Sequence, residues 1–330
     1  VSASPGVDAI LFVSFGGPEG PEDVLPFLGN VLRGRDVPPE RLREVARHYD
    51  LFGGVSPING QNRALIAALE TELAARGPAL PVYWGNRNWH PFLEDALRRM
   101  AQDGVRHALA FVTSAFSSYS GCRQYREDIE RAREAVGARA PRVDKLRAFY
   151  NHPGFIEACA DRLRDALAEF PEGQRRDVPV AFTAHSLPLA MAAGCAYEAQ
   201  LREAGALVAE RSGTRSWAVA YQSRSGPPAQ PWLEPDIGTH LEALAAAGAR
   251  DVAVAPLGFL SDHMEVVYDL DTQAQARARA LGLRMVRAGA PGTHPAVVSM
   301  IRELVEERRS GRLPDACAVD CCLPGKPRPA

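Results

Sequence analysis

Val178-Pro179-Val180-Ala181-Phe182-Thr183-Ala184-His185-Ser186-Leu187-Pro188 is the stretch on which the reading of this chain turns. A short apolar run that ends in a polar step reads as a strand buried on both faces, the kind that builds parallel sheets. Such strands deliver the residues that follow them to the carboxyl edge of the sheet, where open α/β folds bind their ligands. The run therefore hands the imidazole of His185 to the mouth of a sheet. Histidine exchanges a proton near neutral pH, and its neutral form ligates transition metals. A plainer role is open to it as well, that of a strand-end ring hydrogen-bonded to the next loop.

Working outward, the chain repeats one plan twice. Strand-like runs at 9–14, 80–84, 107–113 and 145–149 each lead through a loop into a helical pattern, and runs at 178–183, 216–221, 251–255 and 283–286 do the same. Strands alternating with helices predict parallel β-α-β units. The fold class expected is α/β, with two similar doubly wound, Rossmann-like domains, each built on a four-stranded parallel sheet, and an active cleft between them. The expected boundaries are 1–170, 171–310 and a cysteine-rich tail over 311–330, with the linker near Pro171 to Asp177. His90-Pro91, His152-Pro153 and His294-Pro295 read as helix entries, since proline loses nothing in a first helical turn.

Composition narrows the function classes. The 330 residues are 46% hydrophobic and 24% charged, with mean hydropathy −0.18, enough for a sizeable core and against disordered or fibrous chains. Formal charge is −2, and only Lys145 and Lys326 among the basic residues are lysines. No basic patch argues for nucleic acid. No apolar stretch approaches the ~20 residues of a membrane span, and residues 1–6 lack the pattern of a signal peptide. The protein is expected in the cytoplasm.

Three further segments carry chemistry. Phe15-Gly16-Gly17-Pro18 follows the first strand and Gly53-Gly54-Val55-Ser56-Pro57 precedes a helix; either turn suits an anion, and neither is a dinucleotide or P-loop motif. Leu32-Arg33-Gly34-Arg35 and Arg47-His48-Tyr49 suit a carboxylated ligand, or simply a solvated face. In Gly258-Phe-Leu-Ser-Asp262-His-Met-Glu265-Val-Val-Tyr-Asp269 the spacing puts Glu265 and Asp269 one helical turn apart. Asp262 with Glu265 also resembles a capping box, which leaves Asp269 unexplained. Hard oxygen ligation and proton relay are what such a column does well. Finally, Cys317, Cys321 and Cys322 crowd one short tail, a clustering that suggests metal or cluster ligation. A fourth thiolate is needed for zinc or a [2Fe-2S] cluster, and Cys122, Cys159 or Cys195 could supply it.

These motifs together, in this order, resemble the ferrochelatases over roughly residues 8 to 310. The carriers are 11–18, 53–58, Ala184-His-Ser-Leu-Pro188 and Gly258 to Asp269. The tail resembles that of bacterial ferrochelatases with a C-terminal [2Fe-2S] cluster. The resemblance implies Cys159, Cys317, Cys321 and Cys322 as cluster ligands, His185 and Glu265 as the residues that handle the incoming metal, and Asp269 as a relay. It further implies Ser56, Tyr125, His48, Tyr49 and Phe15 around the porphyrin. Phe15 replaces a tyrosine of some relatives and Gln273 a third acid on the helix.

The implied reaction is insertion of Fe(II), as substrate, into coproporphyrin III in heme synthesis, with protoporphyrin IX as the alternative ring. A non-catalytic tetrapyrrole carrier or iron-sulfur sensor is the alternative from another class. The expected partners are the porphyrin, ferrous iron and, transiently, neighbouring heme-pathway enzymes. A monomer is expected.

Overall fold

A computed structural model describes residues 6–34, 37–227, 229–311 and 321–324. Eight strands form two parallel four-stranded sheets. The first contains β1 (Ala9–Ser14), β2 (Val82–Asn86), β3 (His107–Val112) and β4 (Arg142–Lys145), in the order β2-β1-β3-β4. The second contains β5 (Val180–His185), β6 (Trp217–Gln222), β7 (Asp251–Ala255) and β8 (Arg284–Arg287), in the order β6-β5-β7-β8. The orders are the same, so each half has its switch point beside its own first strand, where the chain departs in both directions and leaves an open crevice.

The strands form where apolar, often β-branched residues run without interruption. Every residue of β1 and of β3 is buried, as expected of strands covered on both faces. Leu11, Val13 and Ala110 pack against Leu97, Met100 and Ile129 of the flanking helices. In the second sheet Val252 and Val254 pack against Leu241, Val266 and Leu270. Full burial of each Leu, Val or Met side chain contributes roughly 1.5–3 kcal/mol. The strand expected at 145–149 lies earlier, at Arg142–Lys145, because pairing starts at His107↔Arg142 and stops at Ala110↔Lys145. Leu146 and Phe149 are still buried, so the apolar run there belongs to the core without being a strand.

By contacts the chain divides into two compact units, Val1–Thr113 with Gln124–Arg147 and Ile301–Ala316, and Ser114–Arg123 with Ala148–Met300 and Cys317–Ala330. These are not the boundaries expected at 170 and 310. The helix Pro153–Ala168 packs on the helix Tyr197–Ser212 and on β7, which draws residues before 170 into the second unit. Among the described residues no helix is long and apolar enough to cross a membrane.

Candidate functional site

In the second unit the ends of β5 and β6 and the loop after β7 bring the candidate residues together. His185 is the last residue of β5, paired in register with Gln222 at the end of β6. Its ring Nδ1 lies 2.5 Å from the Ser186 carbonyl oxygen. A carbonyl can only accept, so Nδ1 carries the proton in the neutral ring and Nε2 keeps its lone pair. Nε2 stands 3.8 Å from Glu265 Oε1, too far for a hydrogen bond. The Tyr197 hydroxyl donates to the His185 carbonyl at 3.0 Å, and the Ser186 amide donates to Gln222 at 2.8 Å, which fix the backbone beneath the ring.

Glu265 reaches this place through a tight approach of the loop to β5. A β-carbon on Gly258 would lie 2.6 Å from Ala184 Cα, and the Gly258 amide donates to the Thr183 carbonyl at 2.9 Å. Any other residue would push the loop away from the strand. Helix begins at Met264 and, from Val267 to Ala274, winds with the wider π turn. Leu270 and Ala274 anchor its inner face in the core.

The expected cap of this helix is corrected. Asp262 accepts from Arg287 at 2.7 Å and from the Ala290 amide at 3.3 Å, tying the loop to the segment after β8. The cap is His263, whose Nδ1 accepts from the Glu265 amide. The same device recurs at His152 with Gly154 and at His294 with Ala296, as expected of two of the three helix-entry histidines; the third, His90, does not cap a helix, since the helix Leu93–Gln102 has Phe92 at its cap. A histidine in the middle of an acidic motif gave no such signal.

Gln222 and Ser223 were not foreseen. Gln222, buried to 1% exposure, donates to the Glu265 carbonyl at 3.0 Å and lies 3.5 Å from Asp269 Oδ2. Ser223 donates to the same oxygen at 2.5 Å from a backbone held at φ 61°. That is a conformation side chains rarely adopt, and it persists where surrounding structure imposes it. Neither residue belongs to a recognisable motif; their only signal is position, at the end of the strand beside His185.

This environment separates the two acids. For Asp269 burial is the largest influence and pushes the carboxyl up to about 6, with Ser223 opposing and the Glu265 charge assisting. For Glu265 burial also disfavours the anion, yet the facing charge of His185 outweighs it and holds the carboxyl at about 2. Burial lowers the His185 pKa, but the facing Glu265 carboxylate more than reverses this and leaves it raised. His263 is held low, chiefly by burial. The helix thus presents one lasting anion and one group poised to exchange protons near neutrality.

The first unit holds the expected ring contacts in an aromatic group that the sequence reading did not assemble. Arg87, just after β2, forms a buried ion pair with Asp128. Its guanidinium lies 4.5 Å from the Tyr125 ring centroid and 5.8 Å from that of Phe15, favourable cation-π geometry. Phe15 and Tyr49 both meet Phe27 edge-on. Tyr125 and Ser56 are only 5% and 4% exposed, Ser56 because it packs under Gly17; Phe15 and His48 are half-buried. Arg33 donates to Asn30 at 2.8 Å. Arg35 lies outside the described residues.

The cysteines are arranged differently from the implied ligand set. Cys159 is buried in the helix Pro153–Ala168, and its thiol is pushed up by burial alone. Cys322 is pushed up by burial first and then by its neighbours Cys122, Cys321 and Cys195. Those four are gathered from three segments, and Cys159 is not among them. Cys317 lies outside the described residues. Among the described residues no three His, Cys, Asp or Glu side chains converge on a single metal position. A [2Fe-2S] cluster does not require that, because its four thiolates are divided between two irons; the gathered thiols fit such a group in number and chemistry.

Comparison with known proteins gives the following. The ferrochelatase family model matches residues 7–309. The chain is 53% identical over 344 residues to the ferrochelatase of Rhodopirellula baltica, covering 100% of this chain and 97% of that one. It is 55% identical over 346 residues to the coproporphyrin III ferrochelatase of Frankia alni, covering 98% and 88%. Among solved structures, SirB from Bacillus subtilis with Fe3+ superposes with a TM-score of 0.58 at 13% identity, over 93% of this chain and 97% of that one; this likeness is one of fold.

Proposed function

Because this chain belongs to the ferrochelatase family, we propose that it inserts ferrous iron into coproporphyrin III with His185, Glu265 and Asp269 as the acting residues. The substrate is suggested by relatives at about half identity that carry that name. The observation that carries the assignment of residues is the contact of His185 Nδ1 with the Ser186 carbonyl, which leaves Nε2 facing Glu265 Oε1 at 3.8 Å.

The chemistry has a fixed proton balance. A free-base porphyrin gives up two pyrrole N-H protons as Fe(II) enters, and the ion sheds its water. An imidazole nitrogen beside a carboxylate offers the mixed nitrogen and oxygen donors that suit a ferrous ion. The same Nε2, once unburdened of metal, accepts a proton, and the Glu265 anion stabilises the imidazolium that results. Asp269, about 6 in the folded chain, can take that proton and return it to solvent, while Glu265 at about 2 stays ionised throughout. Ser223 and Gln222 orient Asp269 for this task. In the first unit half-buried Phe15, held against Arg87 and Phe27, supplies aromatic surface suited to a flat macrocycle. Binding energy at such a surface can hold the ring in the bent form that exposes its nitrogens.

We also read the tail as part of a [2Fe-2S] cluster outside this chemistry, and the protein as cytoplasmic. In support of the cluster, four of the described cysteines are neighbours, the number such a group takes.

The test is anaerobic Fe(II) insertion into coproporphyrin III and protoporphyrin IX in parallel, followed by absorbance. The expected result is faster turnover of the ring with four propionates. Preference for protoporphyrin IX would overturn the substrate assignment, and binding of both rings without turnover would overturn the enzyme reading.

A further inference from the structure

Resting on the functional reading above, we propose that Arg287 is a positioning residue for metal insertion: from the end of β8 it grips Asp262 and Asp271, the acids that bracket Glu265 and Asp269, and so sets where those two stand.

The anchor is a fixed one. Arg287 closes β8 in register with Val254 of β7, and the amide of Ala288 donates to the Val254 carbonyl at 2.8 Å. A side chain borne on a strand places its partners more firmly than one borne on a loop. From this place the guanidinium reaches both ends of the segment. Nη1 donates to Asp262 at 2.7 Å and to the Ala288 carbonyl at 3.1 Å, while Nε and Nη2 donate to the two oxygens of Asp271 at 2.5 and 2.9 Å. The Arg287 side chain is 18% exposed, against 25% for Asp262 and 38% for Asp271, so both pairs are partly shielded from water.

The acids of this segment thus divide into two sets. Glu265 and Asp269 stand against His185 and Ser223, at the ends of β5 and β6, and Asp262 and Asp271 are held at the end of β8. Carboxylates crowded between 262 and 271 repel one another. A guanidinium that neutralises two of them lowers this cost without occupying the pair beside His185. The grip also reaches into the wide turn Val267–Ala274, whose looser winding is free to tighten unless it is braced. An arginine fork engages two carboxylates at once, whereas the point charge of a lysine cannot keep both in place. Displacing a reacting group by about 1 Å costs roughly 10²-fold in rate, which is the scale on which such a brace acts.

The experiment follows steady-state Fe(II) insertion by the full chain into the preferred ring, varying iron and porphyrin separately, beside urea unfolding and amide hydrogen exchange. Arg287→Lys keeps the charge and loses the fork; Arg287→Met loses both. Each should lower kcat, Arg287→Met by roughly 10–10²-fold, and raise the KM for iron while the KM for porphyrin stays unchanged. Exchange should quicken over 263–274 and stay the same over β5. Adding Asp271→Asn to Arg287→Met should cost little further, since the two act through one contact. Asp271→Asn alone, which keeps the guanidinium, carries the same kinetic test where Arg287→Met does not fold. Arg277→Met is the control: its ion pair with Glu242 holds the next helix, Gln275–Ala280, and its loss should leave the kinetics alone. Folded Arg287 variants with the kcat and both KM values of the wild type, whatever their unfolding midpoint, would reduce the contact to a stabilising one and overturn the proposal. A raised KM for porphyrin with that for iron unchanged would overturn it too. Wild-type protein that inserts iron into neither ring would instead overturn the functional reading on which the proposal rests.

Discussion

The two sheets share a strand order and differ in what stands at their strand ends. After β1 the chain continues as Phe15-Gly16-Gly17, whereas β5 ends in His185-Ser186. Gly16, at φ 80° with Asn86 Cβ 2.9 Å from where its own β-carbon would be, lets the first unit close a smooth turn beside an aromatic group. At the matching place the second unit has an imidazole, a carboxamide, a hydroxyl and two carboxylates. One framework thus serves two purposes: a surface that suits a flat ring, and a charged array that suits a metal ion and its protons. The lesson is that duplicated folds diversify at strand termini while the strands themselves stay interchangeable apolar runs.

That contrast can be broken most directly at His185. His185→Ala should lower insertion by roughly 10²–10⁴-fold, the range for a lost acid-base group, while fluorescence titration shows porphyrin binding retained. Equal loss of both would mean that the second unit also holds the ring, and the division of labour would be wrong. In the first unit the largest effect expected is on stability. Arg87→Ala removes a guanidinium that is only 8% exposed and leaves Asp128, 15% exposed, with the exposed Arg131 at 2.7 Å as its remaining partner. Removing one member of this largely buried pair costs about 1–3 kcal/mol, measurable by urea unfolding. A change within a few tenths of a kcal/mol would show the pair to be solvated and ornamental.

The smallest effect sharpens the distinction between the two acids. Asp269 is raised from an ordinary 3.8 to about 6, so its contribution to stability is full below 3.8 and is lost as pH rises through about 6. Glu265, lowered from 4.5 to about 2, contributes above 4.5 and loses that contribution as pH falls toward about 2. Asp269→Asn should therefore flatten the decline of stability between those upper limits, with the lower window untouched, in urea titrations at stepped pH. An unchanged decline would assign the upper titration to another group.

How much was legible before the structure follows from the range of each signal. The parallel sheets were readable because apolar runs alternate with helical periodicity, a local property. His185 was readable because it ends such a run. Asp262 was misread as a cap because its true partner, Arg287, lies 25 residues downstream, and no local pattern announces that. Gln222 and Ser223 were silent for the same reason: they matter through register with β5 and through contact with a helix more than 40 residues away. The set of gathered cysteines could not be chosen by spacing, since three upstream thiols were equally eligible until the chain was folded. Arg87 looked like one more arginine among many.

The wide turn from Val267 to Ala274 bears on how this segment can change in length. Hydrogen bonds that skip one residue more than an α-helix does accommodate an extra residue in the turn. Deleting one residue there and closing the turn to α winding would leave the helix beyond in place and turn the residues within the segment by about 100° relative to their surroundings. Leu270 would then leave the core that it fills, or Asp269 would leave Ser223. Side chains in this stretch can be exchanged one at a time, but its count of residues is tied to the chemistry at its start.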